Sequence, residues 1–333
     1  MPQHGHAVGH EEYTVDHRLS DADRNVHSAF DNSLDPVLTV ADGDVVRFEC
    51  RDAVDGQVDV ETTAEDVTDV SFDPVHPLTG PVRVEGAEPG DVLEVELLDL
   101  QHKGWGYNLY FPGDMELGLL PEDFDEPGIH IWDLEGDVGT FVNGIEVPLS
   151  PFPGVIGNAP AEEGAHDTLP PRSTGGNMDV KHMTAGSTVY LPVEVDGALF
   201  STGDCHAAQG DGEVCVTGVE APMFVTARFR VRTDLDIEQP ELRTSGPFTP
   251  TGGDEPMYAT TGIDSDLMEA TKKATRHMIT HLHEHRGLTR GEAYLLCSAA
   301  MDLKVSEVVD APNWTVTAYV PESVFPHSGT DAD

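Results

Sequence analysis

Positive charge is scarce in this sequence. Its 333 residues carry 18 Lys+Arg against 61 Asp+Glu, a formal net charge of −43 at pH 7. A field of that sign repels phosphate, which argues against sequence-independent nucleic-acid binding and against docking on anionic membranes. Only five of the basic residues are lysines. Acid-rich, lysine-poor composition suits a cytoplasmic protein of a high-salt host, where concentrated salt screens the self-repulsion. Apolar runs are short, none approaching the ~18 residues that a membrane span needs. The first ten residues lack the apolar stretch of a secretory leader. Cysteine is sparse too. Cys50, Cys205, Cys215 and Cys297 are far apart with no CxxC pair, as expected of reduced thiols rather than a disulfide framework.

What is present in quantity is alternation and turn chemistry. Val46, Phe48 and Cys50 alternate with Arg47, Glu49 and Arg51; Leu93, Val95 and Leu97 with Glu94, Glu96 and Leu98; Val225, Ala227, Phe229 and Val231 with Thr226, Arg228, Arg230 and Arg232. A period of two puts one face on a core and one in water. These runs lie between Gly, Pro and Asp turns and predict antiparallel β-structure to about residue 233. Segments opening at Gly43-Asp44, Gly90-Asp91 and, more weakly, Gly186-Ser187 resemble one another. They read equally as remnants of a duplication or as a common turn into a strand.

Helical spacing is confined to the C-terminal part, where Leu267, Ala270, Ala274, Met278 and Leu282 share one face. Asp266 with Glu269, and Thr289 with Glu292, have capping-box spacing, and Gly287 follows a basic helix end. The expected fold is therefore α+β: an antiparallel β-sandwich or barrel-like core over 14–233, then a helical hairpin and a final strand near 314–320 within 234–326. All of this makes one domain over 1–333, with a solvated tail from Ser328. His4, His6 and His10 suit a fraying terminus, and His281, His283 and His285 a charge-complemented helix end.

The densest polar stretch is Gly203-Asp204-Cys205-His206-Ala207-Ala208-Gln209-Gly210-Asp211-Gly212-Glu213. On an extended strand Asp204 and His206 project from one face, a natural start for a divalent-metal site. Gly210 and Gly212 allow a tight turn that aims Asp211 or Glu213 inward. In so acidic a chain the same residues also suit a solvated turn. Gly175-Gly176-Asn177-Met178-Asp179-Val180-Lys181 is a second cluster; its lysine could stabilise an oxyanion, or the stretch could be a plain surface turn. His27, Asp31, Asn32 and His76 add further ligand-type side chains.

Taken with the blocks Val75-His76-Pro77-Leu78-Thr79-Gly80-Pro81 and Pro148 through Gly157, these segments resemble the acetamidase/formamidase family over roughly residues 14 to 325. The resemblance implies hydrolysis of short aliphatic amides, formamide or acetamide, to a carboxylate and ammonia by a homodimer or larger homo-oligomer. It also implies a divalent metal, zinc or calcium. Metal ligands would be Asp204 and His206 with His76 or Asp31; catalytic groups Glu213, Lys181 and Asp179; substrate contacts Asn177, Gly176 and Gln209. The partner expected is a small neutral amide. Asn158 and Cys205 depart from, or vary within, the pattern. Three competing readings are a Cys205 nucleophile, a hydrolase of larger or cyclic amides, and a catalytically silent acidic binding protein.

Overall fold

The computed structural model describes residues 13–245 and 256–326; the N-terminal histidines and the tail from Ser328 lie outside them. Two six-stranded sheets form the centre. The first has the order His17–Leu19, Val45–Cys50, Met223–Arg232, Val92–His102, Thr188–Pro192, Glu241–Arg243. The second runs Gly175–Asn177, Phe152–Gly157, Phe200–His206, Leu78–Val84, Val26–His27, with Leu38–Val40 also paired to Leu78–Val84.

The alternation read from sequence sets how these sheets face each other. Val46, Phe48 and Cys50 are fully buried while Arg47 and Glu49 stay partly exposed. Phe48 and Phe229 of the first sheet meet Phe200 of the second, with centroids 5.7 and 4.9 Å from it. Edge-to-face aromatic packing at these distances locks a sandwich. The sheets remain open, so the barrel-like alternative is not adopted. On the outer face, Arg228 pairs with Glu96 at 2.8 Å and Arg232 with Glu94, placing scarce arginines opposite strand carboxylates. Gly43, Gly90 and Gly186 have φ of +96°, +99° and +84°. Each precedes a strand of the first sheet, so the three share one turn chemistry.

A four-stranded sheet flanks the sandwich, in the order Glu146–Pro148, Val138–Thr140, Gly128–Glu135, Trp105–Tyr110. The hairpin of α1 (Leu267–Arg286) and α2 (Arg290–Ala300) follows. It packs with a three-stranded sheet of Met257–Asp264, Trp314–Pro321 and Asp302–Glu307. Thr289 and Glu292 form the expected reciprocal box, whereas at Asp266 only half of one forms, the carboxylate accepting from Glu269 N at 3.0 Å. Gly287 closes α1 at φ +70°. Gly262 is needed where the strand meets α1, because a Cβ there would lie 1.9 Å from the Ala270 carbonyl oxygen. Among the described residues no helix is long and apolar enough to cross a membrane.

Candidate active site

The strand Phe200–His206 is buried along its whole length and delivers Asp204 and His206 to one end of the sandwich. Their side chains converge as expected, with Asp204 Oδ2 3.6 Å from His206 Nε2. The route differs from a regular strand: Asp204 has φ +50° and is not extended. Cys205 between them turns into the main core and is fully buried. Contact with the Cys50 thiol and burial push its own thiol pKa well up. A thiol in that position is a packing group rather than a nucleophile.

Four acids surround the His206 ring. Its Nε2 lies 3.1 Å from Glu220 Oε2 and 3.9 Å from Asp179 Oδ1, and its Nδ1 lies 4.0 Å from Glu213. His76 approaches from the far side, with Nε2 3.8 Å from Asp204 Oδ1. Space for this crowd comes from two glycines. A Cβ at Gly154 would sit within 2.7 Å of the Asp179 and Asp204 carboxylates, and one at Gly218 would sit 2.7 Å from His206 Nδ1. Asp179 and Glu213 share the left-handed backbone of Asp204, at φ +48° and +43°. Gly212, at φ +107°, sets the turn that aims Glu213 inward.

Gln209 fixes the imidazole. His206 Nδ1 donates to Gln209 Oε1 at 2.7 Å, and Gln209 Nε2 donates to the Asp179 carbonyl at 2.9 Å. In the neutral ring, with Nδ1 carrying the proton, the lone pair of Nε2 would face carboxylates. It has no hydrogen-bond partner, and neither have the buried Glu220 Oε2 and Asp179 Oδ1. Such an arrangement demands a cation or additional protons. Burial disfavours charge on His206, but Glu220 and Asp204 outweigh it and hold its pKa well above 6.5. Burial likewise opposes ionisation of Asp204, yet His76 and His206 hold its carboxyl well below the usual range. Burial lifts Glu220 to about 8 and Asp179 to about 6, each opposed by His206. Burial, reinforced by Asp179, raises Glu213 well above the ordinary carboxylate value.

Two ligand groups are within reach of one ion: Asp204, His206 and Glu220, and Asp179, His206 and Glu213, each with donor atoms inside 4.8 Å of one another. Because Gln209 occupies Nδ1, the first group uses the free nitrogen. One imidazole with carboxylate oxygens is a donor set that divalent cations accept.

The site opens on a cavity of about 230 Å³. His76, Asn177, Asp179, Asp204 and Glu213 line it, as does Glu220. Asn177 Nδ2 donates to the Leu169 carbonyl at 3.2 Å, leaving its buried Oδ1 without a partner.

Other sequence expectations fall elsewhere. Lys181 is buried and ion-paired with Asp302, with Asp211 at 3.5 Å; it does not line the cavity. Asp211 is drawn to this lysine and to Lys304 at 3.4 Å, away from His206. Asp31 caps the Ser33 backbone at 2.8 Å and lines no part of the cavity, so the metal ligand expected there is not brought to the site. His27 is spent between Ser201 Oγ and the Ala29 carbonyl, at 2.8 and 2.7 Å. Gly176 pairs with Ile156 in the second sheet, and Gly175 N already donates to the Arg172 carbonyl. That turn therefore offers no free Gly175 amide to an oxyanion. Glu220, the nearest acid to His206, was missed by sequence reasoning; nothing in Gly218-Val219-Glu220-Ala221 marks it out among 61 acids. Gly154 and Gly218 were equally silent, since a glycine reports no neighbour until the neighbour is placed.

A family model described as the Acetamidase/Formamidase family matches residues 12–166 and 161–327. An acetamidase from Mycolicibacterium smegmatis is 31% identical over 96% of this chain and 96% of its own length. A gamma lactamase from Delftia acidovorans superposes with TM-score 0.85 at 28% identity, covering 93% of each chain. An acetamidase structure from Bacillus halodurans gives TM-score 0.64 at 37% identity, covering 91% of this chain and 96% of that one.

Proposed function

This chain belongs to the acetamidase/formamidase family, and from that membership we propose that it hydrolyses the C–N bond of small neutral amides, releasing a carboxylate and ammonia. The observation that carries the reading is the convergence of partnerless buried atoms at one cavity: Glu220 Oε2, Asp179 Oδ1 and Asn177 Oδ1 belong to residues that line it, and His206 Nε2 stands behind them, 3.1 Å from Glu220 Oε2.

A divalent cation fits that donor set, with Asp204, His206 and Glu220 as its holders and His76 beside Asp204. When bound, such an ion supplies Lewis acidity to the amide carbonyl and to water. The chain's own groups do the rest. Gln209 keeps His206 in the tautomer that presents Nε2. Asn177 Oδ1 accepts from the substrate N–H₂ and so orients the amide in the cavity. Glu213 and Asp179, both raised above the ordinary carboxylate range by burial, Asp179 to about 6, take the proton from water and return it to the departing nitrogen. No positive side chain lines the cavity among the described residues, which agrees with a neutral substrate.

The test is ammonia release from formamide, acetamide and propionamide in molar KCl, with bound metal measured before and after chelation. Turnover that falls with metal content and disappears in His206→Ala is the expected result. Undiminished turnover at zero metal would remove the ion, and no ammonia from any amide would remove the amidase reading. A second reading, hydrolysis of a cyclic amide, is favoured by the closer superposition on the gamma lactamase than on the Bacillus halodurans acetamidase.

A further inference from the structure

The cavity lining holds two chemically distinct sets of side chains. Beside the carboxylates it has an apolar wall that includes Val54, Phe72, Val75, Leu109, Phe111 and Val216. It does not belong to the sandwich core. Val54, Val75, Leu109 and Phe111 form a separate cluster with Val58, Val67 and Val70, against which Val216 packs. Phe72 and Leu169 stand at the rim, 38% and 43% exposed, whereas Leu109 is 1% exposed at depth. Phe72 and Phe111 lean together with centroids 5.4 Å apart.

Size and polarity then discriminate between substrates. A volume of about 230 Å³ holds several water-sized groups. Formamide or acetamide would engage the polar wall and leave the apolar one wet. A larger hydrocarbon group would cover Leu109, Phe111 and Phe72 and release that water. Four carboxylates and no Lys or Arg line the cavity among the described residues, so an anionic acyl group is repelled. We propose that the preferred substrate is a primary amide with a neutral, apolar acyl group of medium chain length or a single ring, seated against this wall. The proposal rests on the amidase reading and narrows it.

Each methylene moved from water onto such a wall is worth about fourfold in kcat/KM. The experiment is ammonia release by the wild-type protein from acetamide, butyramide, hexanamide, benzamide and the anionic succinamate. It is repeated with Phe72→Ala, a rim position whose side chain is already partly in water. We expect kcat/KM to climb about fourfold per methylene until the wall is covered, with succinamate inert. Phe72→Ala should lower hexanamide turnover about tenfold more than acetamide turnover. A profile that is flat or falls with chain length, or a Phe72→Ala loss shared equally by both amides, overturns the proposal while leaving the amidase reading intact. Silence with every amide overturns both.

Discussion

Replacing Lys181 by methionine separates two roles that the sequence could not tell apart. In the structure Lys181 is 4% exposed and Asp302, its ion-pair partner, 1%. Removing one member of a buried pair strands the other, at a cost of ~3–5 kcal/mol. Asp302 keeps some support, because Asp211 N donates to its Oδ1 at 3.2 Å and Lys304 Nζ stands 3.6 Å from its Oδ2. That places the expected loss near the lower end, about 3 kcal/mol. With a urea slope of ~3 kcal/mol/M, the unfolding midpoint should fall by about 1 M. The transition can be followed by the fluorescence of Trp132, which is fully buried. Turnover per folded molecule, measured by ammonia release at saturating amide, should stay within about twofold, because the ammonium lies outside the cavity lining. Adding Asp302→Leu to Lys181→Met should restore most of the stability, since an apolar pair needs no countercharge. The reasoning fails if Lys181→Met keeps its urea midpoint but loses ~10²–10³ in kcat, the signature of a missing oxyanion donor.

Gln209→Leu should weaken divalent-ion binding by ~10–100-fold in a metal titration, because His206 Nδ1 loses the acceptor that sets its tautomer; unchanged affinity would contradict that positioning role. Cys205→Ala should cost only about 1 kcal/mol of stability with normal turnover, and a variant that folds but cannot turn over would bring the thiol back as nucleophile. A net charge of −43 should make the unfolding midpoint climb steeply between dilute buffer and molar KCl, as the Debye length shrinks from ~30 to ~3 Å. Full stability in dilute buffer would retire the high-salt reading and leave the chemistry untouched.

The features legible in the sequence were those governed by local rules. The alternation of Val46, Phe48 and Cys50 gives the buried face of a strand, and Thr289 with Glu292 gives a helix start, because each depends on residues a few positions apart. The wall built from the segment around Val54, Val58, Val67 and Val75 carries no such period: short 3-10 turns and bends interrupt it, and its cluster closes only when Tyr107 and Leu109 arrive. Lys181 illustrates the converse error. Its neighbours Asn177 and Asp179 do reach the cavity, yet the lysine pairs with an aspartate 121 positions away that no spacing rule connects to it.

The site itself resisted prediction for a sharper reason. Rules for strands and turns describe low-energy backbone, and three of its carboxylates do not have it: Asp179, Asp204 and Glu213 all adopt positive φ. Non-glycine residues in that region cost on the order of 1–3 kcal/mol each and persist only where the surroundings hold them. Here the holding groups can be named. Gly154 lets the Asp179 and Asp204 side chains lie over its backbone, Gly212 turns the chain into Glu213, and Gln209 ties the Asp179 carbonyl to His206. Sequence could nominate these acids by the glycines beside them, but only the assembled sandwich turns four mutually repelling carboxylates toward one imidazole. That cluster becomes affordable once a cation or shared protons offset the repulsion. The strain and the crowded charge therefore fall at the same place.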